Sequence, residues 1–262
     1  MARWLIDLLR PWSFRGKVRL LQPWVPRHGV REAVVHGVRM RLDLEDFIQR
    51  MVYLGCYERW ETRVVRSHLR PGMTFVDVGA NVGYFALLAA RQVGPTGRVF
   101  AVEPSPYAAD LLQQTLASNP LHQVRLARCA LGAREDRLKL SRPDRGNHTP
   151  TLLTSDAEAG VVVPVRRLDD CLAEWNCDRV DLLKMDVEGF ESRVLDGATE
   201  ALARHRILRV LCEFNQPWLL RAGSSSADLH RRFLDLGFRD VTGIPWNPDR
   251  ELSNRLFALA DA

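Results

Sequence analysis

Asp77 interrupts an apolar run, Phe75-Val76-Asp77-Val78, that leads at once into Gly79, Asn81 and Gly83. Glycines there let the backbone turn tightly and approach a ligand, and the helix-forming residues that follow present free amides at their start. A carboxylate at that point repels phosphate and attracts an ammonium group. Glu103 closes a second apolar run, Arg98 to Glu103, where an acid can accept hydrogen bonds from both hydroxyls of a ribose. A third cluster is Lys184-Met185-Asp186-Val187-Glu188-Gly189. If it is extended, residues 184, 186 and 188 project to one side and gather a base and two acids. Lys184 reads equally as a ligand group or as the structural partner of a carboxylate such as Glu213, because a buried charge demands pairing. Asp186, at the strand end, reads as a ligand or catalytic group. The acids together suit a ligand with a nucleoside part and a cationic part. A nicotinamide dinucleotide is the rival, but Gly79-Ala80-Asn81-Val82-Gly83 lacks that ligand's usual first close glycine pair, and the chain has no Tyr-x-x-x-Lys. Magnesium on Asp186 and Glu188 is the weaker reading, since no third ligand is placed, and no metal is expected.

These residues need elements to hold them, and strand and helix signals alternate in the required way. The runs are 74–78 then 84–92, 98–103 then 106–118, and 123–130; after an irregular stretch come 161–165, 168–174, 180–186, 191–203 and 207–214. That is the rhythm of an α/β, doubly wound, mostly parallel sheet, and 238–243 with 255–259 reads as a closing antiparallel pair. Ligands of such sheets bind outside the carboxyl ends of the strands, where strand order reverses. The strand-end residues are Asp77, Glu103, Ala130, Asp186 and Phe214. Pro71-Gly72 marks a boundary between an accessory segment, 1–70, and a main domain, 71–262.

In order and at suitable intervals, several blocks resemble the FkbM family of S-adenosylmethionine-dependent methyltransferases over roughly residues 45–215. They are residues 75–85; Gly97 to Pro106; Ala130-Leu131-Gly132; Val163-Pro164-Val165 leading to Leu168-Asp169-Asp170; Asp181 to Glu191; and Gly55-Cys56-Tyr57-Glu58 upstream. The resemblance implies a seven-stranded, Rossmann-like class I methyltransferase fold, S-adenosyl-L-methionine as cofactor, and methyl transfer to oxygen on a sugar, glycolipid or secondary metabolite. It implies that Asp77, Gly79, Asn81 and Gly83 line the methionine part, that Glu103 meets the ribose with Pro104 and Ser105 beside it, and that Cys129 and Ala130 lie near the adenine. Asp186 would sit where the methyl is carried. A hydroxyl acceptor profits from a base. Glu188 and His148, the latter in the irregular stretch 142–155, are the candidates alongside Asp186, with Glu213 and Asn215 as further acceptor contacts. Arg142 and Arg145 suit an anionic acceptor.

Charge limits the alternatives. The chain carries +5 overall, but residues 1–41 hold nine Lys/Arg against Asp7 and Glu32, so this segment is +7 and the remainder −2. A nucleic-acid footprint across the catalytic face is thereby disfavoured, and a nucleic-acid methyltransferase or a non-catalytic cofactor-binding protein stand as alternatives. In residues 1–41 the prolines and tryptophans argue against regular structure beyond one short helix. Trp4, Leu5, Leu8, Leu9 and Trp12 fall at helical spacing, so residues 1–14 either pack on the main domain or rest on an anionic membrane. Residues 42–70 read as helical. Five cysteines without a Cys-x-x-Cys pair indicate buried thiols, and the chain shows no apolar run of membrane-spanning length and no signal-peptide pattern, so a cytoplasmic location is expected.

Overall fold

The computed structural model describes residues 6, 8, 9, 12, 16–140, 152, 153 and 160–260. The N-terminal part contains α1 (Lys17–Leu21), a 3-10 turn (Gln22–Trp24), a hairpin of β1 (Val30–Val35) and β2 (Val38–Asp43), then α2 (Phe47–Leu54) and α3 (Arg59–His68). The rest of the chain follows with β3 (Thr74–Val78), α4 (Tyr84–Val93), β4 (Arg98–Val102), α5 (Pro106–Ala117), β5 (Val124–Ala127), β6 (Ala130–Leu131), β7 (Asp136–Leu140), β8 (Leu152–Leu153), β9 (Val161–Arg166), α6 (Leu168–Glu174), β10 (Leu182–Met185), α7 (Glu191–Asp196), α8 (Thr199–Ala203), β11 (Arg209–Asn215), α9 (Gln216–Arg221), α10 (Ser226–Asp235), β12 (Phe238–Asp240) and β13 (Leu252–Leu259).

Seven strands form one sheet in the order β12-β13-β11-β10-β3-β4-β5, with β13 alone antiparallel to its neighbours. The chain winds outward from β3 through β4 to β5, then returns to β10 on the other side of β3. Strand order therefore reverses between β3 and β10, and a crevice opens at their carboxyl ends. Side-chain alternation divides the core in two. Phe75, Ala101, Leu182 and Leu211 face α4, α5 and the N-terminal elements, whereas Val76, Val78, Leu183, Met185 and Cys212 face α6, α7, α8 and α10. Ile6, Leu21, Met40, Leu42 and Leu54 belong to the first of these clusters, so the N-terminal elements share a core with the sheet. Lys17 is buried too, its Nζ donating to the Trp12 carbonyl at 3.0 Å.

Four expectations need correction. Residues 1–41 contain a hairpin, reversed at His36-Gly37, both at positive φ. Its second strand alternates Val38, Met40 and Leu42 inward with Arg39 and Arg41 outward, so these two arginines are the solvent face of a strand. The stretch 123–130 is two strands, since Ala130 leaves the main sheet to pair with Val165 in a second sheet of order β6-β9-β7-β8. The stretch 191–203 is two helices, because Gly197 lies against Gly132, where an added Cβ would fall 2.1 Å from the Gly132 carbonyl oxygen. Asp169 then caps α8, accepting from the Glu200 and Ala201 amides at 3.0 and 2.9 Å. Finally, Leu9 packs on the core while Leu8 and Trp12 are exposed and Ile6 is buried, so the inward face near residue 6 is not the one the spacing suggested; Trp4 and Leu5 lie outside the described residues.

Candidate active site

The turn after β3 is shaped by contact with β10. Gly79 has φ +80°, and a Cβ on it would fall 1.9 Å from the Asp186 carbonyl oxygen, so only glycine permits the two strand ends to close up. Asn81, also at positive φ, follows. Glu103 holds this turn from β4: one carboxylate oxygen accepts the Asn81 amide and the other the Ser105 amide, each at 2.7 Å. Both oxygens keep lone pairs for further donors. Burial pushes the Glu103 carboxyl up to about 7 in spite of these two amides.

At the β10 end, Lys184 Nζ donates to Asp186 Oδ2 at 3.0 Å and stands 4.7 Å from the Phe85 ring centre. Its pairing is thus with Asp186 rather than with Glu213. Burial works against the ammonium charge, but Asp186, Glu58 and Asp77 outweigh it and hold its pKa above the ordinary value. Burial, aided by Asp186, also raises the carboxyls of Glu188 to about 7 and of Glu213 to about 10. Glu58 rises to about 7 through burial, against the pull of Lys184. Glu188 sits at φ +52°, a conformation costly for a side-chain-bearing residue. The loop that carries it is pinned by Glu191, whose Oε1 accepts from the Val187 and Gly189 amides at 3.1 and 3.3 Å.

One pocket collects Gly79, Asn81, Glu103, Pro104, Cys129, Ala130, Asp186 and Glu188, all singled out by the sequence, along with Lys184 and Glu213. Three of the chosen residues stand behind its wall. Gly83 caps α4, Ser105 caps α5 through its hydroxyl, and Asp77 is 1% exposed beside Lys184. Neither Asp77 oxygen is hydrogen-bonded; the Ala86 amide in the first turn of α4 favours the charged form without closing a bond. Burial lifts the Asp77 carboxyl to about 6, against the pull of Lys184. Ala130 reaches the pocket from β6 of the second sheet, not from the end of a main-sheet strand. Asn215 is not in the lining. His148, Arg142 and Arg145 lie outside the described residues.

Sequence reasoning missed Tyr57 and Glu58 as pocket residues, though both line it between α2 and α3. Their Gly55-Cys56-Tyr57-Glu58 block was the available signal. Among the described residues the lining carries Glu58, Glu103, Asp186, Glu188 and Glu213 against the single cation Lys184. Such a surplus of acid, with Glu103 buried and the other four half-buried, is suited to a cationic ligand or to hydrogen-bond donors. Among the described residues, no group of three or more His, Cys, Asp or Glu is arranged to hold a metal ion, and no helix is long and apolar enough to cross a membrane.

The sequence profile described as "Methyltransferase FkbM domain" matches residues 77–239, which include the glycine turn, Glu103 and the Lys184 to Glu188 block. The chain belongs to the FkbM methyltransferase family. Among curated relatives it is 33% identical over 156 residues to "Methyltransferase sdnD" of Sordaria araneosa, covering 48% of this chain and 60% of that protein. It is 29% identical to "2-O-methyltransferase NoeI" of Sinorhizobium fredii (strain NBRC 101917 / NGR234), covering 53% and 63%. It is 32% identical to "31-O-demethyl-FK506 methyltransferase FkbM" of Streptomyces tacrolimicus, covering 51% and 62%. The aligned part thus spans about six-tenths of these relatives. A TehB-like SAM-dependent methyltransferase from Corynebacterium glutamicum overlays with a TM-score of 0.47 at 14% identity, covering 80% of this chain and 93% of that one. Strand order defines the fold as doubly wound.

Proposed function

We propose that the protein is an S-adenosylmethionine-dependent O-methyltransferase of the cytoplasm whose acceptor is a hydroxyl on a small molecule or glycan. The observation that carries this reading is the pocket at the β3/β10 reversal, where Glu103 is held by the Asn81 and Ser105 amides and faces a surplus of acid. A ligand with ribose hydroxyls, an ammonium and a sulfonium supplies what this donor set lacks: hydroxyl hydrogens for Glu103 and positive charge for the acids. The names of the relatives, among them a 2-O-methyltransferase, support the oxygen acceptor.

When bound, S-adenosylmethionine supplies a methyl group on a positively charged sulfur. Glu103 would hold the ribose, Gly79 and Asn81 the methionine arm, and Pro104, Cys129 and Ala130 the base. Asp186, fixed by Lys184, would hold positive charge at the end of β10. Glu188, with a carboxyl that titrates near neutral pH, would take the proton of the acceptor hydroxyl. Positioning of the acceptor oxygen contributes the larger share of the rate, since the reaction is an in-line displacement. Calorimetry with S-adenosylmethionine and S-adenosylhomocysteine tests the reading. Binding of both by the wild type and its loss in Glu103→Ala is expected; a folded wild type that binds neither would sink it.

A further inference from the structure

The outer side of the pocket wall has the opposite charge. Arg59, Arg63 and Arg66 recur along α3 at spacings of four and three, which puts their exposed side chains on one helix face. They line a groove with Trp12 and with His36 of the β1–β2 turn, over a floor that includes Tyr57 and Tyr84. Arg66 Nη2 donates to His36 Nδ1 at 3.0 Å, which fixes its guanidinium beside the turn. A neighbouring hollow is lined by Lys17, Arg19, Arg27 and again Arg59. Among the described residues, neither lining holds an Asp or a Glu. Tyr57 and Tyr84 line both the groove and the acidic pocket, their rings 5.1 Å apart and edge to face, so one aromatic wall has acid on its inner side and arginine on its outer side.

We infer that the groove holds an anionic group of the acceptor, a phosphate, sulfate or carboxylate, while the acceptor's hydroxyl enters the acidic pocket past Tyr57. This rests on the methyltransferase reading of that pocket and narrows its acceptor to a hydroxylated molecule with an anionic appendage. The acids of the pocket repel such an anion from the methyl site, and guanidinium groups offer it paired donors. Together the two charges fix which end of the acceptor goes in. At physiological salt the charges act over about 8 Å, so the contact must be close and salt-sensitive.

Inorganic pyrophosphate serves as the probe, titrated into the full chain at low salt, with S-adenosylhomocysteine titrated in parallel. Wild type is compared with Arg63→Glu and with Arg125→Glu, the same charge change on exposed β5. The expected result is pyrophosphate binding by wild type and Arg125→Glu alike, weakened at least tenfold in Arg63→Glu and by added salt, with S-adenosylhomocysteine binding equal in all three. Equal pyrophosphate affinity in the three proteins, or none in a wild type that binds S-adenosylhomocysteine, overturns the inference. Loss of S-adenosylhomocysteine binding from all three would refute the cofactor pocket, while the pyrophosphate titration would still report on the groove. Sedimentation with phosphatidylglycerol vesicles separates the sources of the anion. Arg63-dependent sedimentation without pyrophosphate binding would assign the groove to a membrane surface and overturn the acceptor reading; pyrophosphate binding without sedimentation upholds it.

Discussion

The inner pocket and the outer groove share an aromatic wall and differ in almost everything else. The pocket gathers Glu58, Glu103, Glu188 and Glu213, whose carboxyls burial raises toward or above neutrality, with Lys184 as the one cation in the lining among the described residues. The groove is built by a helix face and a hairpin turn, its arginines exposed and its lining free of acid among the described residues. Charge in the groove is loosely held and screened by salt; charge in the pocket is desolvated, so each added or removed proton matters more. A site of the first kind selects and steers. A site of the second kind can bind a sulfonium and move a proton.

The contrast can be broken most severely at Gly79. Gly79→Ala, in a left-handed conformation and 1.9 Å from the Asp186 carbonyl, forces apart the strands that make the pocket. A loss of about 3 kcal/mol or more in denaturant unfolding is expected, together with loss of cofactor binding, whereas Arg63→Glu leaves stability unchanged. Next, Glu188→Gln keeps the shape and removes the base. Turnover should fall on the order of 100-fold, by more than cofactor affinity falls when measured by calorimetry.

A smaller effect distinguishes the two regions by pH. Glu58, Glu103 and Glu188 titrate near 7 in the folded protein, above the ordinary value of 4.5. Between those values the native state binds protons that the unfolded chain has released, so this contribution to stability is full below 4.5 and is lost as pH rises through about 7. The ligand-free protein should lose roughly 2 °C or more in Tm between pH 6 and 8. Cation binding works the other way, since it lowers these pKa values and releases protons. Affinity for S-adenosylmethionine should rise across the same interval, and that for S-adenosylhomocysteine, which lacks the sulfonium charge, should rise less. A flat or opposite profile would mean that the pocket acids do not meet the cation.

Much of this architecture was readable from sequence. β3 and α6 occupy the expected residues 74–78 and 168–174, because each is a local apolar pattern with clear stops. The β1–β2 hairpin escaped because its solvent-facing arginines were counted as charge rather than as the polar half of an alternation. The break between β5 and β6 depends on pairing of Ala130 with Val165, thirty-five residues away, which no local pattern encodes. The site divides similarly. Glu103, Asp186 and Glu188 were legible because strand ends in a wound sheet converge. Tyr57 and Glu58 were not assigned to the pocket because only the docking of the N-terminal elements on the shared core brings them there. Asp77 was read as lining the site, but strand alternation turns it under α4, beside Lys184 and away from the lining.

The central claim is that the acid-rich crevice at the β3/β10 reversal binds S-adenosylmethionine through Glu103. Calorimetric titration of S-adenosylmethionine into wild type and Glu103→Ala at pH 7.5 tests it most directly, with circular dichroism to show that both are folded. The account predicts one site in the wild type and affinity reduced at least 100-fold in the variant, as about 3 kcal/mol from a buried carboxylate with two ribose hydroxyls would give. Equal affinity in two folded proteins, or no binding by the wild type, would contradict it.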